Sequence, residues 1–175
     1  MLYRETYNSK IGPIYLISNG VYLTGLYFKG SRDDILHKDT YILNKNLKIF
    51  DDTKRFLDIY FDGKEPSFTP LYKLDNLSPF RMMVTDILLK VPYGKVVTYG
   101  DIAKEIAKRR NIKKMSSQAV GGALKNNPIC IIVPCHRVIG ENGNLTGYGG
   151  GIDNKIKLLE IEGHDKSLFS MPKGR

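Results

Sequence analysis

A chain of 175 residues with only two cysteines is long enough to bury a core without covalent staples, so a disulfide scaffold is unnecessary and a reduced, intracellular setting is expected. Lysine and arginine outnumber aspartate and glutamate by 27 to 18, a formal charge of +9 with a pI near 9.4, which favours polyanionic partners. No stretch approaches the roughly 20 apolar residues of a membrane span, and MLYRETYNSK at the start lacks a signal-peptide core, so a soluble cytoplasmic protein is expected.

The first elements are of β type. GPIYLIS and VYLTGLYF, residues 12–18 and 21–28, are rich in β-branched and aromatic side chains and are separated by SNG, which predicts a hairpin or small antiparallel sheet. RFLDIYF, residues 55–61, sets Phe56, Leu57 and Tyr60 at helical spacing, so a short helix is expected before DGKEPSFTP breaks the pattern with glycine and proline. A domain boundary is expected between Asp62 and Ser78, and no internal repeat or low-complexity segment is visible.

From Ser78 the pattern turns helical. Ser78 is placed to cap a helix with Pro79 in its first position, and Phe80, Met83, Val84, Ile87, Leu88 and Val91 line one face. PYGKV then turns the chain, and Thr98 with Asp101 forms a capping-box pattern ahead of a helix whose apolar face is Ile102, Ala103, Ile106 and Ala107. KEIAKRRNIKK, Lys104–Lys114, concentrates cations at its end. A third helix, QAVGGALKN, is capped by Ser116 or Ser117 and stopped by Pro128. The last two helices read either as a helix-turn-helix or as any packed pair. Gly121 and Gly122 cost about 1 kcal/mol each inside a helix, which calls for a close approach by another backbone or an entry into a groove.

IIVPCHRVIG, residues 131–140, sets Cys135 beside His136 between a proline and an arginine. IIV has strand character and Pro134 is expected to end it, leaving Cys135 at an element boundary. Cys130 reads as an inert core residue. A thiol becomes a nucleophile when a base or cation favours the thiolate. Neighbours along an extended strand point to opposite faces, so Cys135 and His136 need a turn or a bridging water to cooperate.

Asn127-Pro128, VPCHRVIG, GYGGG at 147–151 and LLEIEG at 158–163 resemble the O6-alkylguanine-DNA alkyltransferase family, the methylated-DNA protein-cysteine methyltransferases. NSKIGPIYLIS and LTGLYF resemble its N-terminal sheet, YFDG and SPFRMMV its interdomain region, and VPYGKVVTYGDIA the start of its helix-turn-helix. The resemblance implies an α+β fold: a small antiparallel sheet domain over residues 1–75 and a helical DNA-binding and acceptor domain over 76–175. It implies repair by single-turnover transfer of a methyl or alkyl group from O6 of guanine to a cysteine, with O4 of thymine open as a second target.

The residue roles follow from the same resemblance. Cys135 is the acceptor, His136 deprotonates it through a water, Glu162 orients the histidine, Tyr99 rotates a phosphate and gives a proton to the guanine, and Asn127 braces the turn. Arg137 is expected to serve structure. Ser117, Gln118, Ala119 and Gly121 of the third helix, with Val138, Tyr148 and Gly149, are expected to bind DNA or the base, and the Gly149 backbone N–H is expected to face O6. Gln118 stands where the family usually carries an intruding arginine, which removes charge and stacking area. The expected partner is double-stranded DNA entered from the minor groove by a monomer, with the damaged base flipped. No cofactor or metal is expected, since both cysteines lie in the C-terminal part and the N-terminal part offers only His37. The alternatives are a non-catalytic alkyltransferase-like DNA binder, which would lack Cys135, a helix-turn-helix transcription factor, and a cysteine hydrolase.

Overall fold

A computed structural model describes residues 1–36, 40–43 and 46–171, and His37 lies outside them. The architecture is α+β, in two units: Met1–Asp75 together with Pro128–Ile132, and Asn76–Asn127 together with the chain from Val133 onward.

The first unit is built on β1 (Leu2–Ser9), β2 (Gly12–Ser18) and β3 (Leu23–Phe28), which pair antiparallel in the order β3-β2-β1. The SNG turn works through Asn19, whose side-chain oxygen accepts from the N–H groups of Val21 (3.0 Å) and Tyr22 (2.9 Å). After the short helix α1 (Arg32–Leu36), β4 (Tyr41–Leu43) joins the far edge, parallel to β1. No apolar alternation marks a strand of three residues, and the sheet is therefore mixed rather than wholly antiparallel.

Helix α2 (Lys48–Phe61) covers one sheet face, with Tyr7 hydrogen-bonded to Asp58 (2.6 Å) and Lys54 paired with Glu5. It starts well before the expected RFLDIYF because Ile49, Phe50 and Thr53 continue its buried stripe. Thr53 interrupts the apolar pattern in sequence, yet it satisfies its own hydroxyl by donating to the Ile49 carbonyl at 2.7 Å. Pro128–Ile132 returns to this unit through Leu26, whose N–H donates to Pro128 O (2.8 Å) and whose carbonyl accepts from Cys130 N–H (2.9 Å). IIV is not a strand. A γ-turn closes around Ile131, with φ at +68° and the Ile132 N–H donating to Cys130 O at 2.7 Å, a conformation uncommon for a β-branched residue.

The second unit contains α3 (Pro79–Leu89), β5 (Val97–Thr98), α4 (Tyr99–Arg110), α5 (Ser117–Leu124), β6 (Val138–Ile139) and α6 (Ile152–Ile161). Its helix starts follow the sequence signals closely. Ser78 accepts from Arg81 N–H, Thr98 and Asp101 make both capping-box bonds, and Ser116 caps α5. Helix α3 ends at Leu89, so Val91 belongs to the following loop, and α5 ends at Leu124, earlier than the pattern implied. Helices α3, α4 and α5 pack on one another around Val84, Leu88, Ile102, Ile106 and Val120. Among the described residues no helix is long and apolar enough to cross a membrane.

Candidate active site

The chain reaches Cys135 through a second, opposite γ-turn. Pro134 takes φ −82° and ψ 60°, and the Cys135 N–H donates to Val133 O at 2.8 Å. These are the dihedrals of an inverse γ-turn, for which the proline ring presets φ. Residues Cys135–Arg137 then form one turn of 3₁₀ helix, closed by Arg137 N–H on Pro134 O at 3.0 Å. At three residues per turn, successive side chains lie about 120° apart instead of on opposite faces. That turn brings the thiol and the imidazole onto neighbouring directions. Asn127 holds the turn from the other side, its side-chain N–H₂ donating to Val133 O and to the Cys135 sulfur, each at 3.1 Å.

Glu162, the C-cap of α6, is buried and its two oxygens are divided between two partners. Oε2 is hydrogen-bonded to Nε2 of His136, and Oε1 accepts from Arg137 Nε at 2.7 Å and from the Gly94 N–H at 3.3 Å. Gly94 can offer that N–H because it sits at φ +78°, a left-handed position suited to glycine. Burial by itself would raise the Glu162 pKa, but the hydrogen bonds from His136 and Arg137 and the charge of Arg137 outweigh it and hold the group ionised well below its ordinary range. Burial pushes the His136 pKa down, against the pull of Glu162, so the imidazole is neutral. With the proton on Nε2 assigned by the carboxylate partner, Nδ1 is the basic nitrogen.

Pairing of β5 with β6 sets Thr98 opposite Ile139, and this places Tyr99, the first residue of α4, beside the thiol turn. Its hydroxyl donates to Thr146 O at 2.9 Å, and burial raises its pKa, so it stays protonated at neutral pH. Lys155 was not foreseen from the sequence. It is wholly buried in α6, donating to Val138 O at 2.5 Å and Thr146 O at 3.5 Å, with its nitrogen 5.9 Å from the Tyr99 ring centre. Burial pushes its pKa down to about 8, opposed by the charge of Cys135. A signal was present: Lys155 falls on the same helical face as Ile152, Leu158 and Leu159, the buried stripe of α6.

The remaining residues expected at the site divide in two. Ser117, Gln118 and Ala119 are exposed on α5, and Tyr148 and Gly149 are half-buried in the loop ahead of α6. Val138 has no exposed surface, and its carbonyl is taken by Lys155. No other backbone crowds the α5 glycines: a Cβ on Gly121 would stand 3.8 Å from the Tyr99 ring, and one on Gly122 would meet nothing within 4 Å among the described residues. The reason for Gly122 is therefore not internal packing, and α5 presents a low, exposed face.

An exposed, capped helix following α4 and a buried thiol with a histidine, carboxylate and guanidinium behind it are together the arrangement of a DNA-binding protein that carries a cysteine in a polar, buried turn. Residues 2–75 match the 6-O-methylguanine DNA methyltransferase, ribonuclease-like domain, and residues 79–164 match the DNA binding domain of the same family. The chain belongs to the 6-O-methylguanine DNA methyltransferase family. It is 40% identical to the methylated-DNA–protein-cysteine methyltransferase of Methanosarcina acetivorans, over 93% of this chain and 99% of that one. It is 38% identical to the protein of that name from Metallosphaera sedula, over 98% of both chains. Among solved structures, Mycobacterium tuberculosis OGT in complex with DNA aligns with a TM-score of 0.77 at 37% identity, over 95% of this chain and 94% of that one.

Proposed function

We propose that this protein repairs alkylated DNA by taking a methyl or larger alkyl group from O6 of guanine onto Cys135, once per molecule. The observation that supports this most is the Cys135–Arg137 turn, in which a buried thiol held by Asn127 adjoins a histidine already partnered by Glu162. In this reading a single molecule acts in the cytoplasm on duplex DNA, entering the minor groove with residues of its 76–175 domain and turning the damaged base out of the stack.

The chemistry is an in-line displacement. The thiol proton passes through a water to Nδ1 of His136 as the sulfur attacks the alkyl carbon. An S–C bond forms, the C–O6 bond breaks, and the electron pair goes to O6. Tyr99 exchanges its bond to Thr146 O for one to the guanine ring and supplies the proton that leaves an ordinary neutral base. Tyr148 and Gly149 line the base, and Ser117, Gln118, Ala119 and Gly121 face the DNA. A duplex carrying one O6-methylguanine, incubated with the protein, is expected to leave one added methyl per protein molecule by intact mass. A retarded band on a gel with no change in protein mass would instead identify a non-transferring DNA binder.

The charge distribution supports the same partner. From Ile106 to Gly140 the chain has no acidic residue and carries Lys108, Arg109, Arg110, Lys113, Lys114, Lys125 and Arg137. The first five surround the exposed connection into α5. Restoring an arginine at Gln118, an exposed position in the first turn of α5, should add a charge near the phosphates and a larger wedge for the vacated stack. Gln118→Arg is therefore expected to speed single-turnover repair of duplex DNA while leaving single strands, where little must be unstacked, nearly unchanged. The electrostatic part of the gain should fade as salt is raised. Equal acceleration on both substrates would show that residue 118 is not the intruding position.

A further inference from the structure

Arg137 is held too firmly, and too close to the carboxylate, to be only a spacer after His136. Its Nε donates to Glu162 Oε1 at 2.7 Å, its Nη1 donates to Val91 O at 2.9 Å, and its guanidinium lies 5.8 Å from the Tyr93 ring centre. Tyr93 is itself anchored by donating to Ile161 O at 3.2 Å. The guanidinium is thus fixed from the loop after α3 and from the end of α6, with its side chain 11% exposed.

This placement bears on the histidine. A buried carboxylate beside an imidazole raises the imidazole pKa and so favours the imidazolium, which is an acid and not a base. A permanent cation on the second oxygen partly compensates the carboxylate and weakens that pull, and an arginine cannot surrender its proton. The charged groups around His136 are Glu162 and Lys155 from α6 and Arg137 from its own turn, and the neighbouring Cys135 is titratable. Lys155 turns its nitrogen to the carbonyls of Val138 and Thr146, so Arg137 is the cation that meets Glu162 directly.

We propose that Arg137 is a positioning residue that occupies the second oxygen of Glu162 and thereby keeps His136 in the neutral form able to accept the thiol proton. Burial and the charges of Arg137 and Lys155 all act in this direction on His136, with Glu162 opposing them. The inference rests on the role given to His136 under Proposed function.

The test is the pH dependence of single-turnover methyl transfer in wild type, Arg137→Gln and Arg137→Lys, together with NMR titration of the His136 ring in each protein without DNA. In Arg137→Gln the acid limb should move up by about one pH unit, making transfer about tenfold slower on that limb, while the rate on the alkaline plateau falls far less. The ring titration should move the same way. Arg137→Lys, which keeps the charge and loses the fork, should shift both by less, and it carries the test if the glutamine variant does not fold. An unchanged acid limb and ring titration would overturn the proposal, as would a rate lost by the same factor at every pH, the mark of a purely structural role. Failure of wild type to transfer methyl at all would defeat the proposed function, and the ring titration would still decide the role of Arg137.

Discussion

Cys135→Ala is expected to abolish alkyl transfer completely while leaving the fold and DNA binding in place, and Cys130→Ser is expected to transfer normally. Cys135 lies in the second unit, 8% exposed, with Asn127 donating to its sulfur. Alanine removes the sulfur proposed to receive the alkyl group, and Asn127 keeps its second bond, to Val133 O. Cys130 belongs to the first unit, 2% exposed, with its thiol directed at Asp33 at 3.9 Å. Intact mass after incubation with O6-methylguanine duplex separates the two, and a gel shift checks that DNA is still bound. Because a thioether is a poor leaving group, wild type should stop after one methyl. A methyl found on Cys135→Ala, or several turnovers by wild type, would remove Cys135 from its assigned role.

The second large effect is on stability. Glu162→Gln replaces two acceptor oxygens by one oxygen and one N–H₂ group, so one of His136 and Arg137 comes to face another donor. It also leaves the largely buried Arg137 without its counter-charge. Breaking a buried pair from one side costs about 3–5 kcal/mol, and for a chain of this size that is a fall in Tm of roughly 6–20 °C. The sign with pH follows from the direction of the shift. Glu162 has its folded pKa lowered, so its contribution is fully present above the ordinary carboxylate range and is lost as pH falls through the lower folded value. The gap in Tm between wild type and Glu162→Gln should therefore be flat near neutrality and close only in acid. Transfer should slow as well, since His136 loses its orientation. Equal Tm values at neutral pH would mean that the Glu162 network does not hold the second unit together.

Much of the local structure is legible in short segments because the forces that set it are local. A serine or threonine oxygen reaches the N–H groups of the next turn wherever the chain permits it, so Ser78, Thr98 and Ser116 announce their helices. The two-residue strands β5 and β6 are invisible to such reasoning: Val97–Thr98 and Val138–Ile139 are far apart in sequence, and nothing within either dipeptide indicates that they pair. That pairing sets Tyr99 beside the thiol. In the same way, the strand expected of IIV gives way to a left-handed turn at Ile131, since Cys130 and its neighbours are claimed by Leu26 in the first unit.

The amino-acid sequence by itself determined the capped helices, the basic stretch around Lys108–Lys114, the juxtaposed Cys135 and His136, and, through resemblance, the family. The tertiary structure alone decided that Arg137 and His136 divide one carboxylate and that Lys155 lies buried under Tyr99 and the Thr146 carbonyl. The physical reason is desolvation. Arginine, lysine and glutamate read as solvated surface in a linear pattern, and their charges shift protonation in the site only once the fold has taken them out of water and set them within hydrogen-bond reach of partners distant in the chain.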